Sequence, residues 1–233
     1  MTRQLALEVG LPDLAAFDNF HPGENAEAAA AVREAAGRRP GVLYLYGPAG
    51  TGKSHLLFAA MREARSAGRR AVYASRAAVD PARDEWLDLS GEGLTCIDDI
   101  GGRLEPAEAR ALFSLHERVR RAAGSLVLAS RLPAAIVDWC MADLLSRVRG
   151  DLVYRLAPFT EGDLEQALRL RARARGIDLT EEVVRFVLRR YERSPQALFR
   201  LLDRIDVESL AHKRRVTIPF LRDLDRASES GGG

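Results

Sequence analysis

Residues 47–54 read Gly47-Pro48-Ala49-Gly50-Thr51-Gly52-Lys53-Ser54, a G-x-x-x-x-G-K-S stretch, and nothing else in the chain restricts its fold so sharply. Ahead of it, Val42 to Tyr46 is short, apolar and β-prone. Behind it, Leu56, Leu57, Ala60, Met61 and Ala64 recur at helical spacing. A glycine-rich loop between a buried strand and a helix N-terminus turns its backbone N–H groups toward a phosphate chain, and the helix dipole adds positive potential. The pattern therefore predicts a phosphate loop in which Lys53 reaches the outer phosphates and Ser54 holds Mg²⁺. Residue choice sharpens this. Of 35 basic residues only Lys53 and Lys213 are lysine. A lysine kept here, where arginine is the rule, points to a need for a compact ammonium.

Four more apolar, β-prone runs follow, at 71–74, 94–97, 126–129 and 152–156, most of them separated by helical patterns. In residues 106–121 the stripe is Ala109, Leu112, Phe113, Leu115 and Val119, with Pro106 suited to the first turn. Short continuous apolar strands alternating with helices imply an α/β fold, a three-layer αβα domain around a five-stranded parallel sheet, here expected over 13–157. Asn25 is placed to cap the alanine-rich helix 26–36. From 158 the strands stop. Thr160 with Asp163 forms a capping box, Thr180 opens a second helix, and Ser194-Pro195 opens a third. Pro219 suits a short last helix. A helical subdomain is expected over 158–226, with a disordered tail over 227–233.

Leu94-Thr95-Cys96-Ile97-Asp98-Asp99 is an apolar strand ending in two acids, a Walker B form. Asp98 suits Mg²⁺, and Asp99 suits polarisation of an attacking water. Ser130, after the fourth strand, stands where a polar side chain can sense the γ-phosphate. Arg147, just before the fifth, stands where a guanidinium can enter a neighbouring molecule's site, against the alternative of a solvated surface arginine. The arginine-rich stretch 169–175 reads as a solvated helix face. Net charge is only +2, which argues against a chain that coats nucleic acid. Cys96 and Cys140 sit in apolar segments and read as buried thiols. The four histidines show no ligand spacing, no run is long enough for a bilayer, and residues 1–4 lack a signal-peptide layout. A cytoplasmic protein is expected.

Together these residues resemble the AAA+ family, and within it the DnaA/Hda clade. The matching stretches are Phe17-Asp18-Asn19-Phe20, Gly47 to Ser54 continuing as His55-Leu56-Leu57, Ile97-Asp98-Asp99-Ile100, Leu145-Ser146-Arg147, Leu168 to Ala172, and Thr217-Ile218-Pro219-Phe220. The resemblance runs from about residue 13 to 226. It implies ADP or ATP with Mg²⁺, bordered by the loop and His55; Phe17 and Phe20, two aromatics bracketing a turn about thirty residues ahead of the loop, suit either packing under the sheet or, for Phe20, walling the base pocket. It implies that Arg147 is the arginine finger, acting in trans. The family's second-sensor arginine falls on Gln196, and its acidic first sensor on Arg131 or Ser130; both departures imply weak hydrolysis by the chain itself.

The helix-turn-helix domain and the larger N-terminal domain of DnaA have no counterpart in the sequence, so no direct sequence-specific DNA binding is expected. Gln4-Leu5-Ala6-Leu7-Glu8-Val9 alternates in a way that suits a frayed terminus, an edge strand or a docking tail. By resemblance it is a peptide for the DNA polymerase III β sliding clamp, with Gln4, Leu5, Leu7 and Val9 as contacts and Glu8 standing where proline is usual. The tail is expected over 1–12. The implied role is to stimulate hydrolysis of ATP on DnaA from the clamp, preventing re-initiation. Alternatives are an autonomous helicase-loader-type ATPase and a DnaA-binding adaptor that does without the clamp. A homo-oligomer is compatible with either, and no membrane is expected.

Overall fold

A computed structural model of the chain describes residues 15–37, 39–78, 92–212 and 215–230. The clamp-peptide residues Gln4 to Val9 lie outside these. The chain divides into two compact units: Glu24–Pro158 together with the described residues up to Asp18, and Asn19–Gly23 together with Phe159 onward.

The first unit is the expected five-stranded sheet. Its strands are β1 (Gly41–Tyr46), β2 (Ala71–Ser75), β3 (Leu94–Asp98), β4 (Ser125–Ser130) and β5 (Leu152–Arg155), all parallel, in the order β2-β3-β4-β1-β5. Among the described residues, the α-helices of this unit are α1 (Ala26–Gly37), α2 (Lys53–Ser66), α3 (Pro106–Arg121) and α4 (Ala142–Gly150). Each of β1, β3 and β4 is almost wholly buried, which is why they read as unbroken apolar runs. Edge strand β5 leaves Leu152 and Val153 exposed. One core joins Tyr44, Ile97, Leu126 and Leu128 of the sheet to Leu112, Leu115 and Val119 of α3 and Leu144 and Val148 of α4.

Helix α3 begins sharply because Glu105 and Glu108 form a reciprocal capping box around Pro106. Asn25 does not cap α1. Its amide instead brackets Ala157, two residues past the end of β5, accepting from Ala157 N–H at 2.7 Å and donating to Ala157 O at 3.1 Å. A buried amide with a backbone strand end within reach satisfies both its groups there. Cys96 is buried as expected, but Cys140 is exposed. The backbone turns through φ +59° at Cys140, just after Trp139 has entered the core, and this carries the thiol outward.

The second unit is helical: α5 (Glu161–Ala174), α6 (Glu181–Arg190), α7 (Pro195–His212) and α8 (Ile218–Ser230). Thr160, Thr180, Ser194 and Thr217 each accept a backbone N–H of the helix they precede. The last helix is not short. It runs to Ser230, so residues 227–230 of the expected tail continue a helix whose Phe220, Leu221 and Leu224 are held in the core.

The arginine-rich stretch is only in part a solvated face: Arg173 is exposed, but Arg171 and Arg175 turn inward. Arg171 lies 3.7 Å over the ring of Phe199, and burial, then Arg175, lowers its pKa to about 10. The Arg175 side chain is only 6% exposed and pairs with Asp203 and Asp206 of α7. Long arginine stems cover apolar surface while their heads find carboxylates, which composition alone conceals.

Asp163 shows what holds the start of α5. It accepts from the Thr160 hydroxyl at 2.6 Å and the Thr160 N–H at 2.9 Å, and from His21 Nε2 at 2.8 Å. The Thr160 hydroxyl, then the Thr160 N–H, depress its pKa below the ordinary 3.8, against the opposing effect of burial, and His21 adds to the depression. A depressed carboxylate contributes stability that is fully present above its unfolded pKa and lost as pH falls through its folded pKa. Asp163→Asn should therefore unfold at lower denaturant than the parent at pH 7. The gap should close as pH falls below the carboxylate range; an unchanged gap at pH 2 would show that the charge is not what stabilises.

Candidate functional site

The carboxyl edge of the sheet gathers the phosphate loop after β1, Asp98 and Asp99 at the end of β3, and Ser130 and Arg131 at the end of β4. The loop is built as its glycines require. Gly50 and Gly52 take φ +84° and +91°, a region that disfavours side chains, and Gly52 leads directly into α2. Gly47 N–H donates to Ser130 O at 3.2 Å, and a Cβ on Gly47 would lie 2.4 Å from Leu156 O. Gly47→Ala must displace backbone, so it should destabilise the chain by about 1–3 kcal/mol. Chemical denaturation reads this directly, and an unchanged midpoint would contradict it.

Lys53 is buried and donates to Gly47 O at 2.6 Å and Pro48 O at 2.7 Å, with Thr51 Oγ1 at 3.4 Å. Burial lowers its pKa, Asp98 counteracts, Arg131 adds to the lowering, and Asp99 opposes it. Thr51 closes the loop by donating to Pro48 O at 3.1 Å. Pro48, Ala49 and Ser54 are exposed at the rim. These features fit a polyphosphate: a buried ammonium on a flexible stem, in a loop of glycine-permitted turns at a helix start.

Asp98 is buried, with Oδ2 accepting from the Tyr73 hydroxyl at 3.0 Å and Oδ1 from Asp99 N–H at 2.8 Å. Burial and then the Asp98 charge push the Tyr73 phenol well above its usual pKa, so it stays a donor. Tyr73 was not singled out from sequence; it is a strand residue stacked on Phe58 at 4.3 Å. Among the described residues no group of three or more His, Cys, Asp or Glu gathers for a metal. Mg²⁺ here would take Ser54 and Asp98, with phosphate oxygens completing its shell.

Asp99 is exposed, at φ +60°, and lies 3.8 Å from Arg131 Nε. Ser130, expected to sense phosphate, is fully buried: its Oγ accepts from Leu132 N–H at 3.0 Å and bonds the Tyr44 phenol. His55 is turned to the chain's own backbone, its Nε2–H donating to Ala16 O at 2.9 Å. Arg147 projects from α4 and is 46% exposed. Its Nη2 is 3.2 Å from Glu117 Oε1, and its Cζ is 5.9 Å from the ring centre of Phe113.

Residues 161–224 match the family model described as the Hda lid domain. The fold is similar to domain III of the Thermotoga maritima replication initiation protein DnaA, at TM-score 0.72 and 22% identity over 91% of this chain and 95% of that one. The chain has the fold of these AAA+ domains, with a lid that matches the Hda lid model. A DnaA structure bound to AMPPCP and single-stranded DNA is similar at TM-score 0.69 and 23% identity, over 87% and 68% of the two chains. The Thermotoga maritima RuvB Holliday junction branch migration motor is similar at 0.62 and 18%, over 86% and 67%.

Two residues expected from sequence to contact nucleotide lie in the second unit. Gln196 is exposed in the first turn of α7, and Phe20 is buried in the 19–23 segment of the same unit. Near Gln196 in sequence, Arg193 donates to Leu188 O at 3.0 Å and pairs with Glu161 at 3.0 Å, so its guanidinium is engaged within the lid. Among the described residues no helix is long and apolar enough to cross a membrane.

Proposed function

We propose that this chain is a DnaA-related regulator of replication initiation that promotes hydrolysis of ATP bound to DnaA. The observation that carries this reading is the Hda lid match over residues 161–224, set on a DnaA-like fold. In this reading Gln4, Leu5, Leu7 and Val9 dock on the DNA polymerase III β sliding clamp. Arg147 then enters the nucleotide site of DnaA and neutralises charge that develops on the transferring phosphoryl group.

The chain's own loop holds ADP or ATP. Lys53 meets the outer phosphates, and Ser54 and Asp98 hold Mg²⁺, which screens the phosphate charge. The ion pair between Asp99 and Arg131 engages the carboxylate that would otherwise orient an attacking water, which supports slow turnover there.

The test is hydrolysis of radiolabelled ATP prebound to DnaA, with clamp loaded on DNA, comparing the intact chain with one lacking residues 1–9. Stimulation that needs residues 1–9 supports the whole reading. Stimulation that survives their removal points to a clamp-independent adaptor. Rapid ATP turnover by the chain alone, without DnaA, would replace both with an autonomous ATPase.

A further inference from the structure

The contact beneath Arg147 is more built than a surface ion pair. Phe113, Glu117 and Arg121 are spaced by four on α3 and share one face. The Arg147 guanidinium lies along that face, over Phe113 and against Glu117. Glu117 is 23% exposed as a side chain, but its Oε1 is shut off from solvent and makes no hydrogen bond. Its charge is met by Arg147 Nη2 at 3.2 Å and, farther away, by His116 Nδ1 at 4.0 Å, while Oε2 faces Arg121 at 3.8 Å. A carboxylate oxygen in that condition has strong reason to keep its cation.

The scaffold is equally defined. His116 is fully buried and bonds Asp151 at 2.7 Å, and Asp151 caps the end of α4. Arg120 lies 3.6 Å from the other Asp151 oxygen. Leu112, Leu115 and Val119 of α3 share a core with Leu144 and Val148 of α4. The register of Arg147 against Glu117 is thus set by a buried polar bond and by packing. The guanidinium is held at one nitrogen, nearly half of the side chain is exposed, and its fork has further donors to offer.

We infer that Glu117 is the positioning residue for Arg147, holding one edge of its guanidinium so that the opposite edge is presented to a phosphate on a partner's nucleotide. This rests on the reading of Arg147 as a finger acting in trans. A flexible arginine loses side-chain freedom when it docks, and a carboxylate that fixes it beforehand removes part of that cost.

The experiment measures hydrolysis of DnaA-bound ATP by the intact chain, Glu117→Gln, Glu117→Asp, Arg147→Ala and the Glu117→Gln/Arg147→Ala double variant. Glu117→Gln should lower the maximal stimulated rate by about 10- to 100-fold, with the half-saturating concentration little changed. Glu117→Asp should keep part of the rate. With Arg147 already removed, Glu117→Gln should change nothing further, because the two act as one unit. A Glu117→Gln variant as active as the parent, beside an inactive Arg147→Ala, would overturn the inference and leave the finger reading standing. Equal losses from Glu117→Gln with and without Arg147 would also overturn it, as a purely structural effect. An intact chain that does not stimulate DnaA would remove the finger and its positioning residue together.

Discussion

Replacing Arg147 by alanine is expected to cut stimulated hydrolysis of DnaA-bound ATP by about 10³-fold or more, the range reported for loss of an arginine finger. The loss should appear in the rate at saturation, because the guanidinium acts on charge that develops only as the phosphoryl group transfers. The chain should stay folded, with a stability loss of about 1–3 kcal/mol, because Glu117 Oε1 is left without its cation while Arg147 itself is 46% exposed. Arg147→Lys should recover little, since a point charge does not reproduce a planar fork that is anchored at one nitrogen and donates from others. Single-turnover hydrolysis on the preformed DnaA–ATP complex, with thermal unfolding as control, makes the measurement. A variant that keeps the parent's rate would return Arg147 to the ordinary surface arginines of the chain.

Lys53→Ala carries the second large effect. A ligand that binds only the folded chain stabilises it by about 2.7 kcal/mol at a concentration of 100 times Kd. For a chain of this size that is a rise of roughly 5–10 °C in Tm. Lys53 is the buried cation of the phosphate loop, so its loss should abolish the rise given by ADP or ATP. Without ligand the variant should unfold near the parent's temperature, because the lost bonds to Gly47 O and Pro48 O are offset by relief of the ammonium's burial, which lowers its pKa. Thermal unfolding with and without Mg²⁺-nucleotide reads both. An undiminished ligand shift in Lys53→Ala would mean that the nucleotide is held elsewhere.

These two experiments draw on parts of the molecule that were legible to different degrees. Lys53 and its loop are contiguous in sequence, and their geometry follows from local rules: glycine at positive φ, a strand before, a helix after. Asp98 is nearly as local, being the polar end of a buried strand. The five strands were readable because a strand buried on both faces is an apolar run, and even edge strand β5, with Leu152 and Val153 exposed, kept enough apolar character to be found. The caps at Thr160, Thr180 and Ser194 were readable because a hydroxyl before a helical stripe has a local backbone N–H to accept.

What the chain's order could not convey is which side chain meets which across elements. Asn25 has the right chemistry for a cap, and a strand end 132 residues away takes it instead. Ser130 stands at the right end of the right strand, yet Tyr44 and Leu132 enclose its hydroxyl. Arg171 and Arg175 look like a charged surface until α7 supplies Phe199, Asp203 and Asp206. Glu117 was one acid among many in a charged helix; the only local hint was its partner Arg121 four residues on. The sequence by itself determined the strand–loop–helix of the phosphate-loop pattern, the parallel sheet and the helical lid, because each depends on backbone geometry and burial period. Only the tertiary structure decided which polar groups are spent inside the fold and which, like Arg147, are left partly exposed. That choice depends on distances between elements that no local rule encodes.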